Sequence, residues 1–343
     1  MSRRYPVRTA GLAAVAVIGL GLAACSSSGS GSGGASGSAS AKSSSAASGF
    51  AKKNLELVVG TKSDDFYVTM ECGAQAEAKK LGAKLTVNGP ADFSVSEQAP
   101  ILNSVAATKP DALMVAPTDS KALDPELKRI QNAGTKIIFV DTSSSDSSLG
   151  VSRITTNNVG GGKVAADNLG QQIGGKGTVA VINVNPGIST TDARIQGFNA
   201  EMKAKFPNVK VLGVQYDNDS AATAASQVSS DISAHPNLSG VFATNVLSAQ
   251  GAATGVQHAG KSGKVKVATF DAEPQQIQFL KSNTIQLAVA QDPYAEGQDA
   301  VQQALNAANG KTVTKSIGTP LTAITRSNVN SAAVQKYIYK SSC

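Results

Sequence analysis

Apolar positions along the chain follow two alternating rhythms. Leu55, Leu57, Val58 and Val59 form a run of strand length, a polar turn covers Gly60 to Asp65, and Phe66, Met70, Ala74, Ala78 and Leu81 then recur on one helical stripe. The same plan of strand, turn and helix returns downstream. Strands are expected at 83–87, 111–116, 136–140 and 151–155, with helices over 95–108 and 121–133 and from Asn157 through 173. A second series pairs strands at 178–183, 209–216, 240–244, 265–270 and 285–290 with helices at 190–206, 221–234, 249–259, 274–281 and 295–308. A strand near 321–325 and a short helix within 329–339 close the chain. Runs such as Ile137-Ile138-Phe139-Val140 are apolar on both faces, as buried parallel strands are. The pattern therefore predicts an α/β protein with helices on both faces of parallel sheets. The break near Thr156 divides the units into two doubly wound lobes and argues against a single eight-unit barrel.

The first residues do not share this rhythm. Arg3, Arg4 and Arg8 precede an apolar run, Ala10 to Leu20, that is too short to span a bilayer. Leu22-Ala23-Ala24-Cys25 follows directly, so residues 1–25 read as a lipoprotein signal, with lipidation expected at Cys25. Residues 26–52 are dominated by Ser, Gly and Ala and read as a disordered tether. The expected location is the extracytoplasmic face of a cell membrane.

Charge and cysteine content narrow the chemistry. Three of the positive charges behind the formal +7 lie in the leading segment, and the remaining Lys and Arg are scattered, so no nucleic-acid partner is expected. With Cys25 assigned to lipid, Cys72 and Cys343 remain in an oxidising compartment. Cys72 stands six residues after Phe66, opposite the apolar stripe of its helix, and is expected exposed and paired with Cys343. His235 and His258 have no ligand spacing with these cysteines, so no metal site is expected.

No HExxH, GxSxG or CxxC motif is present, and neither an enzyme activity nor a cofactor is expected. Gly160-Gly161-Gly162-Lys163 lacks the spacing of a phosphate loop and reads as the start of a closely packed helix. What recurs is polar and aromatic residues just after strand ends: Asp64 to Tyr67, Asp141, Asp192, Asp217 and Asp219, Asn245, Asp271 and Gln291. Singly, each acid is suited to cap a helix. Together they would line one cleft with hydrogen-bond acceptors and two aromatic faces, which suits a neutral, hydroxyl-rich ligand.

Several motifs carry a family resemblance in order and spacing: VVGTKSDDFYVTMECGAQAEAKKLG, PDALMVAPTDSKAL, KIIFVDT, TTNNVGGGKVAADNL, ARIQGF, AHPNLSGVFATN, VATFDAEPQQ and LAVAQDPYAEG. The chain resembles type I extracytoplasmic solute-binding proteins of sugar ABC transporters, near the ribose-binding group. The resemblance implies a periplasmic-binding-protein type I fold whose lobes are joined by a three-stranded hinge, with crossings near Thr156, Gln291 and Pro320. The first lobe would hold 53–156 plus 292–319, and the second 157–291 plus 320–343. It implies a monomer that closes on a small sugar or polyol and delivers it to an ABC permease. The leader and tether fit a Gram-positive member.

The binding positions carried over are Asp64, Phe66, Tyr67, Asp141, Asp192, Asp219, Asn245, Asp271 and Gln291. Ribose binders carry arginine at the positions matched to Thr142 and Asp192, Val246 replaces a frequent Asp, and Asp219 stands where an aromatic is common. The ligand is therefore expected not to be ribose, and Arg194 is expected to be structural. A sensory receptor, or a receptor for a cationic ligand such as an amino sugar, is the alternative reading.

Overall fold

The computed structural model describes residues 53–343. The leader, Cys25 and the tether lie outside the described residues. In chain order the first elements are β1 (Asn54–Val58), α1 (Asp65–Leu81), β2 (Lys84–Asn88), α2 (Val95–Thr108), β3 (Ala112–Val115), α3 (Asp124–Asn132), β4 (Lys136–Val140) and β5 (Ser152–Thr156). They are followed by α4 (Asn158–Gln172), β6 (Gly177–Asn183), α5 (Ser189–Lys205), β7 (Val209–Tyr216), α6 (Ala221–Ala234), β8 (Leu238–Ala243) and α7 (Val246–His258). The last are β9 (Lys266–Phe270), α8 (Pro274–Lys281), β10 (Leu287–Ala290), α9 (Pro293–Ala308), β11 (Ser316–Thr319), β12 (Thr322–Ile324) and α10 (Ala332–Gln335).

The strands form two six-stranded sheets, ordered β11-β5-β4-β3-β1-β2 and β12-β10-β9-β8-β6-β7. Every pairing is parallel except β10 with β12. The expected pair of doubly wound lobes is what the chain forms. Strand order reverses beside β1 in one sheet and β6 in the other, and such switch points are where open α/β sheets leave a crevice. Central strands are buried on both faces: all of β3, and β4 from Ile137 to Val140. Their helices therefore cover both sides.

Two helix pairs fix the geometry near the crevice, and both approach through glycine. A Cβ on Gly73 of α1 would stand 2.0 Å from the Tyr294 carbonyl oxygen of α9, and one on Gly297 of α9 2.1 Å from that of Met70. In the second lobe, a Cβ on Gly162 of α4 would meet the Arg194 carbonyl oxygen of α5 at 2.0 Å. The Gly160–Gly162 run is thus a close-packing device.

Three passages join the sheets: β5 to α4, β10 to α9, and β11 to β12. Glu296 ties them together. It sits in the first turn of α9, and its Oε1 accepts the hydroxyls of Thr156 (2.9 Å) and Thr319 (2.8 Å) from the other two passages. β11 was not foreseen, because Ser316-Ile317-Gly318-Thr319 has no apolar run. It is an edge strand, exposed at Ser316 and Gly318, held by pairing with β5. α3 starts at Asp124 rather than 121, with Pro125 in its first turn, where the missing N–H has no intrahelical partner to lose.

The tail forms the expected Cys72–Cys343 disulfide but buries Cys72 in doing so. It leaves β12 in the second sheet, and the Tyr339 N–H donates to Ala272 O at 3.0 Å. It then crosses to α1, where the Lys340 N–H donates to Thr69 Oγ1 (2.7 Å) and Cys343 forms a disulfide with Cys72. Cys72 is consequently buried, only 6% exposed, rather than on an open helix face. The helix period placed it correctly away from the core; the tail covers it.

Candidate functional site

The carboxyl ends of both sheets face one narrow cavity. Thr61, Asp64, Phe66, Tyr67, Phe93 and Asp141 line it from the first lobe. Val184, Ile188, Thr190, Thr191, Arg194, Asp219, Asn245 and Asp271 line it from the second, and Gln291 stands at a passage between them.

The first wall is aromatic. Asp64 caps α1 by accepting the Phe66 N–H at 2.7 Å, and the same residue lines the pocket, so it caps and faces the cavity at once. The helix then projects Phe66 and Tyr67, whose rings meet edge to face at 5.1 Å between centroids. Phe93, from the loop after β2, stacks on Tyr67 at 6.5 Å. These separations are typical of stabilising ring pairs. The Tyr67 hydroxyl donates to Asp141 Oδ2 at 2.7 Å. The ring of Tyr67 therefore faces the pocket while its oxygen positions the acid.

The second wall is polar. Arg194 is 3% exposed and stacks over the Phe270 ring at 4.1 Å. Its Nε donates to Asn158 Oδ1 (2.8 Å), its Nη1 to Thr244 O (2.7 Å), and Nη1 lies 3.9 Å from Asp271 Oδ2. Asp271 Oδ1 accepts from Gln291 Nε2 at 2.6 Å. Asn245 caps α7 through the Ser248 N–H (3.0 Å) and donates its amide to Asp219 Oδ1 (2.7 Å). Asp217 is fully buried behind Asp219, accepting the Asp219 N–H and the Ser248 hydroxyl.

Three of the lining acids adopt positive φ: Asp141 at 56°, Asp219 at 57° and Asp271 at 116°. Asp tolerates the left-handed region better than most residues, but Asp271 lies outside even that well. Backbone strain of this kind is held in place by surrounding contacts and gathers at ligand sites.

Burial dominates the electrostatics. It pushes the Asp141 carboxyl up to about 6, against the nearby Arg194 and the Tyr67 hydrogen bond. Asp64 is raised well above the usual carboxylate range by desolvation first and by the charge of Asp271 second. Asp219 and Asp271 are raised by burial, with Asn245 and Arg194 respectively opposing it. Asp64 and Asp219 keep some exposed surface, but they line the cavity, so loss of bulk water still outweighs their hydrogen bonds. Two buried polar atoms on the lining have no protein partner, Thr191 Oγ1 and Gln291 Oε1. Among the described residues no cluster of His, Cys, Asp and Glu is arranged for a metal ion.

Eight of the nine sequence-selected residues meet at this pocket; Asp192 does not. Its carboxylate turns back to accept the Gly187 N–H at 2.9 Å, closing the loop before α5. Thr191 and Arg194, one helical turn apart on the same face, line the cavity instead. Arg194 is therefore a wall residue as well as a structural one, and the second wall does not lack the arginine that the match to Asp192 denied it. Thr142, by contrast, is buried and donates to Pro117 O at 2.8 Å. Phe93 was missed, although it follows a strand end between Asp92 and Ser94, the same polar signal that marks the others.

Two lobes with a small polar cavity trapped between their sheet ends define a ligand-binding module of the hinged kind. The model of the family described as periplasmic binding protein domain matches residues 55–312, and the chain belongs to that family. It is 31% identical over 269 residues to the ribose import binding protein of Escherichia coli K12, spanning 78% of this chain and 89% of the relative. It is also similar to a solved ABC transporter solute-binding protein of Agrobacterium vitis bound with α-D-tagatopyranose. That match has 42% identity, a TM-score of 0.83, and coverage of 84% of this chain and 100% of the other. A carbohydrate transporter solute-binding protein of Agrobacterium radiobacter in complex with D-arabinose matches at 31% identity and TM-score 0.79, covering 83% and 98%.

Proposed function

We propose that this protein is an extracytoplasmic receptor that traps a small neutral sugar or polyol between its lobes and delivers it to an ABC permease. The observation that carries the reading is the pairing of the two walls. Phe66, Tyr67 and Phe93 offer apolar ring faces, and Asp219, Asp271 and Gln291 offer acceptors opposite them. A sugar has that same duality: C–H faces and a rim of hydroxyl donors. The unpartnered Thr191 Oγ1 and Gln291 Oε1 support it, because buried polar atoms are ordinarily satisfied and a hydroxyl-rich ligand would satisfy them. The tagatose-bound and arabinose-bound structures named above support the class of ligand.

Closure would be a population shift, with ligand held by both lobes favouring the closed form that docks on the permease. Binding itself involves no reaction and needs no cofactor. A lipid on Cys25 would hold the receptor at the membrane face, and the domain acts as a monomer. Ribose is disfavoured, since Thr142 offers no arginine to the cavity. The test is a thermal-shift panel of pentoses, hexoses, polyols and amino sugars, because a ligand that binds only the folded state raises its melting temperature. At least one neutral sugar, tagatose first, is expected to raise it. A shift with amino sugars alone would favour the cationic reading, to which the four lining carboxyls lend weight. No shift from any of them would overturn both.

A further inference from the structure

The C-terminal tail reaches the back of the pocket. Tyr339 is 3% exposed, and its hydroxyl donates to Asp271 Oδ1 at 2.8 Å. The Tyr339 hydroxyl oxygen also accepts the backbone N–H of Gln291 at 3.2 Å, and the ring meets Phe66 edge to face at 5.7 Å. One side chain thus touches an acid of the second lobe, a passage between lobes and an aromatic of the first lobe. Tyr339 does not itself line the cavity.

Asp271 needs such a partner. At φ 116° its backbone sits where L-residues are rarely found, so local preference does not hold its carboxylate in place. Gln291 Nε2 and the Tyr339 hydroxyl together fix Oδ1. The tail, in turn, has little structure of its own, since α10 is four residues long. It is fastened at its end by the Cys72–Cys343 disulfide, with the Lys340 N–H on Thr69 and the Ser341 hydroxyl on Asp65.

We propose that Tyr339 is a positioning residue of the binding site, aiming the Asp271 carboxylate at the ligand, and that the Cys72–Cys343 disulfide holds it in place. This rests on the reading of the interlobe pocket as a sugar site. It gives the disulfide a role beyond fold stability: Cys343 supports the affinity of a cleft it never touches.

The test is calorimetric titration of the neutral sugar giving the largest thermal shift into four forms of the mature protein: wild type, Tyr339→Phe, the double variant Cys72→Ser/Cys343→Ser, and all three changes together. Tyr339→Phe keeps the ring and removes the two hydrogen bonds of the hydroxyl, to Asp271 and from the Gln291 N–H, so Kd should rise about tenfold with only a modest fall in the ligand-free melting temperature. The disulfide variant should rise by a similar factor. Adding Tyr339→Phe to it should then cost little more, because both changes act through one contact; independent structural effects would instead multiply. Affinities within twofold of wild type in Tyr339→Phe, or losses that multiply in the combined form, overturn the proposal and leave the sugar reading standing. Failure of every sugar to bind wild type overturns both.

Discussion

The two walls of the pocket are built from the same strand-turn-helix unit, yet they carry opposite chemistry. In the first lobe α1 projects Phe66 and Tyr67 into the cavity, its cap Asp64 faces the cavity beside them, and Asp141, just after β4, is occupied by the Tyr67 hydroxyl. In the second lobe α5 projects Thr191 and Arg194, and the strand ends deliver Asp219, Asn245 and Asp271. Even the close helix contacts match, with Gly73 and Gly297 in one lobe and Gly162 and Gly197 in the other. Similar scaffolds thus supply a packing surface on one side and directional hydrogen bonds on the other. Packing attracts any sugar of suitable size, whereas hydrogen bonds to fixed hydroxyls select among them.

That division can be broken by substitution. The largest effect should come from Asp271→Ala, which removes a buried acceptor held by Gln291 and Tyr339. Affinity should fall by roughly a hundredfold, read as loss of the sugar-induced thermal shift. Phe93→Ala, on the packing wall, should weaken all binding sugars by roughly tenfold and leave their ranking unchanged in a calorimetric panel. A reordered ranking would mean that the first wall also selects.

Glu296 tests the seam between the lobes. Burial first, and the charge of Asp141 second, push its carboxyl up to about 8, against the two threonine hydroxyls and Arg194. An acid whose folded value is raised in this way lends stability that is complete below its unfolded value near 4.5 and lost as pH rises through about 8. Asp141 and Asp217, each raised to about 6, add the same sign at lower pH. The melting temperature should therefore fall between pH 5 and pH 9, and Glu296→Gln should flatten the upper half of that fall. An unaltered slope in the variant would place the titration elsewhere. Smallest of all, Asp192→Asn should leave affinity within twofold, since its carboxylate serves the Gly187 loop; a tenfold loss would return it to the site.

Most of the architecture was legible because it rests on periodicity. Ile137 to Val140 and the Phe66–Leu81 stripe announce buried strand and amphipathic helix without knowledge of neighbours. Strand ends followed by Asp, Asn or Gln gave most of the pocket, because the loops after parallel strands converge at one edge of a sheet. Three things were not legible, each for a tertiary reason. β11 exists through its pairing with β5, not through its own residues. Asp192 and Arg194 lie in one motif, and only the rotation of α5 decides which faces the cavity. The Cys72–Cys343 pairing was legible, but the burial of Cys72 beneath the tail depends on contacts across the 271 residues that separate the two cysteines.

The most direct measurement is a calorimetric titration of neutral sugars, beginning with tagatose, into wild-type protein and into Asp271→Ala. Saturable one-site binding of at least one sugar to wild type, and its loss in the variant, are the expected results. Equal binding to both proteins, or no neutral sugar bound by wild type, would contradict the proposed sugar site.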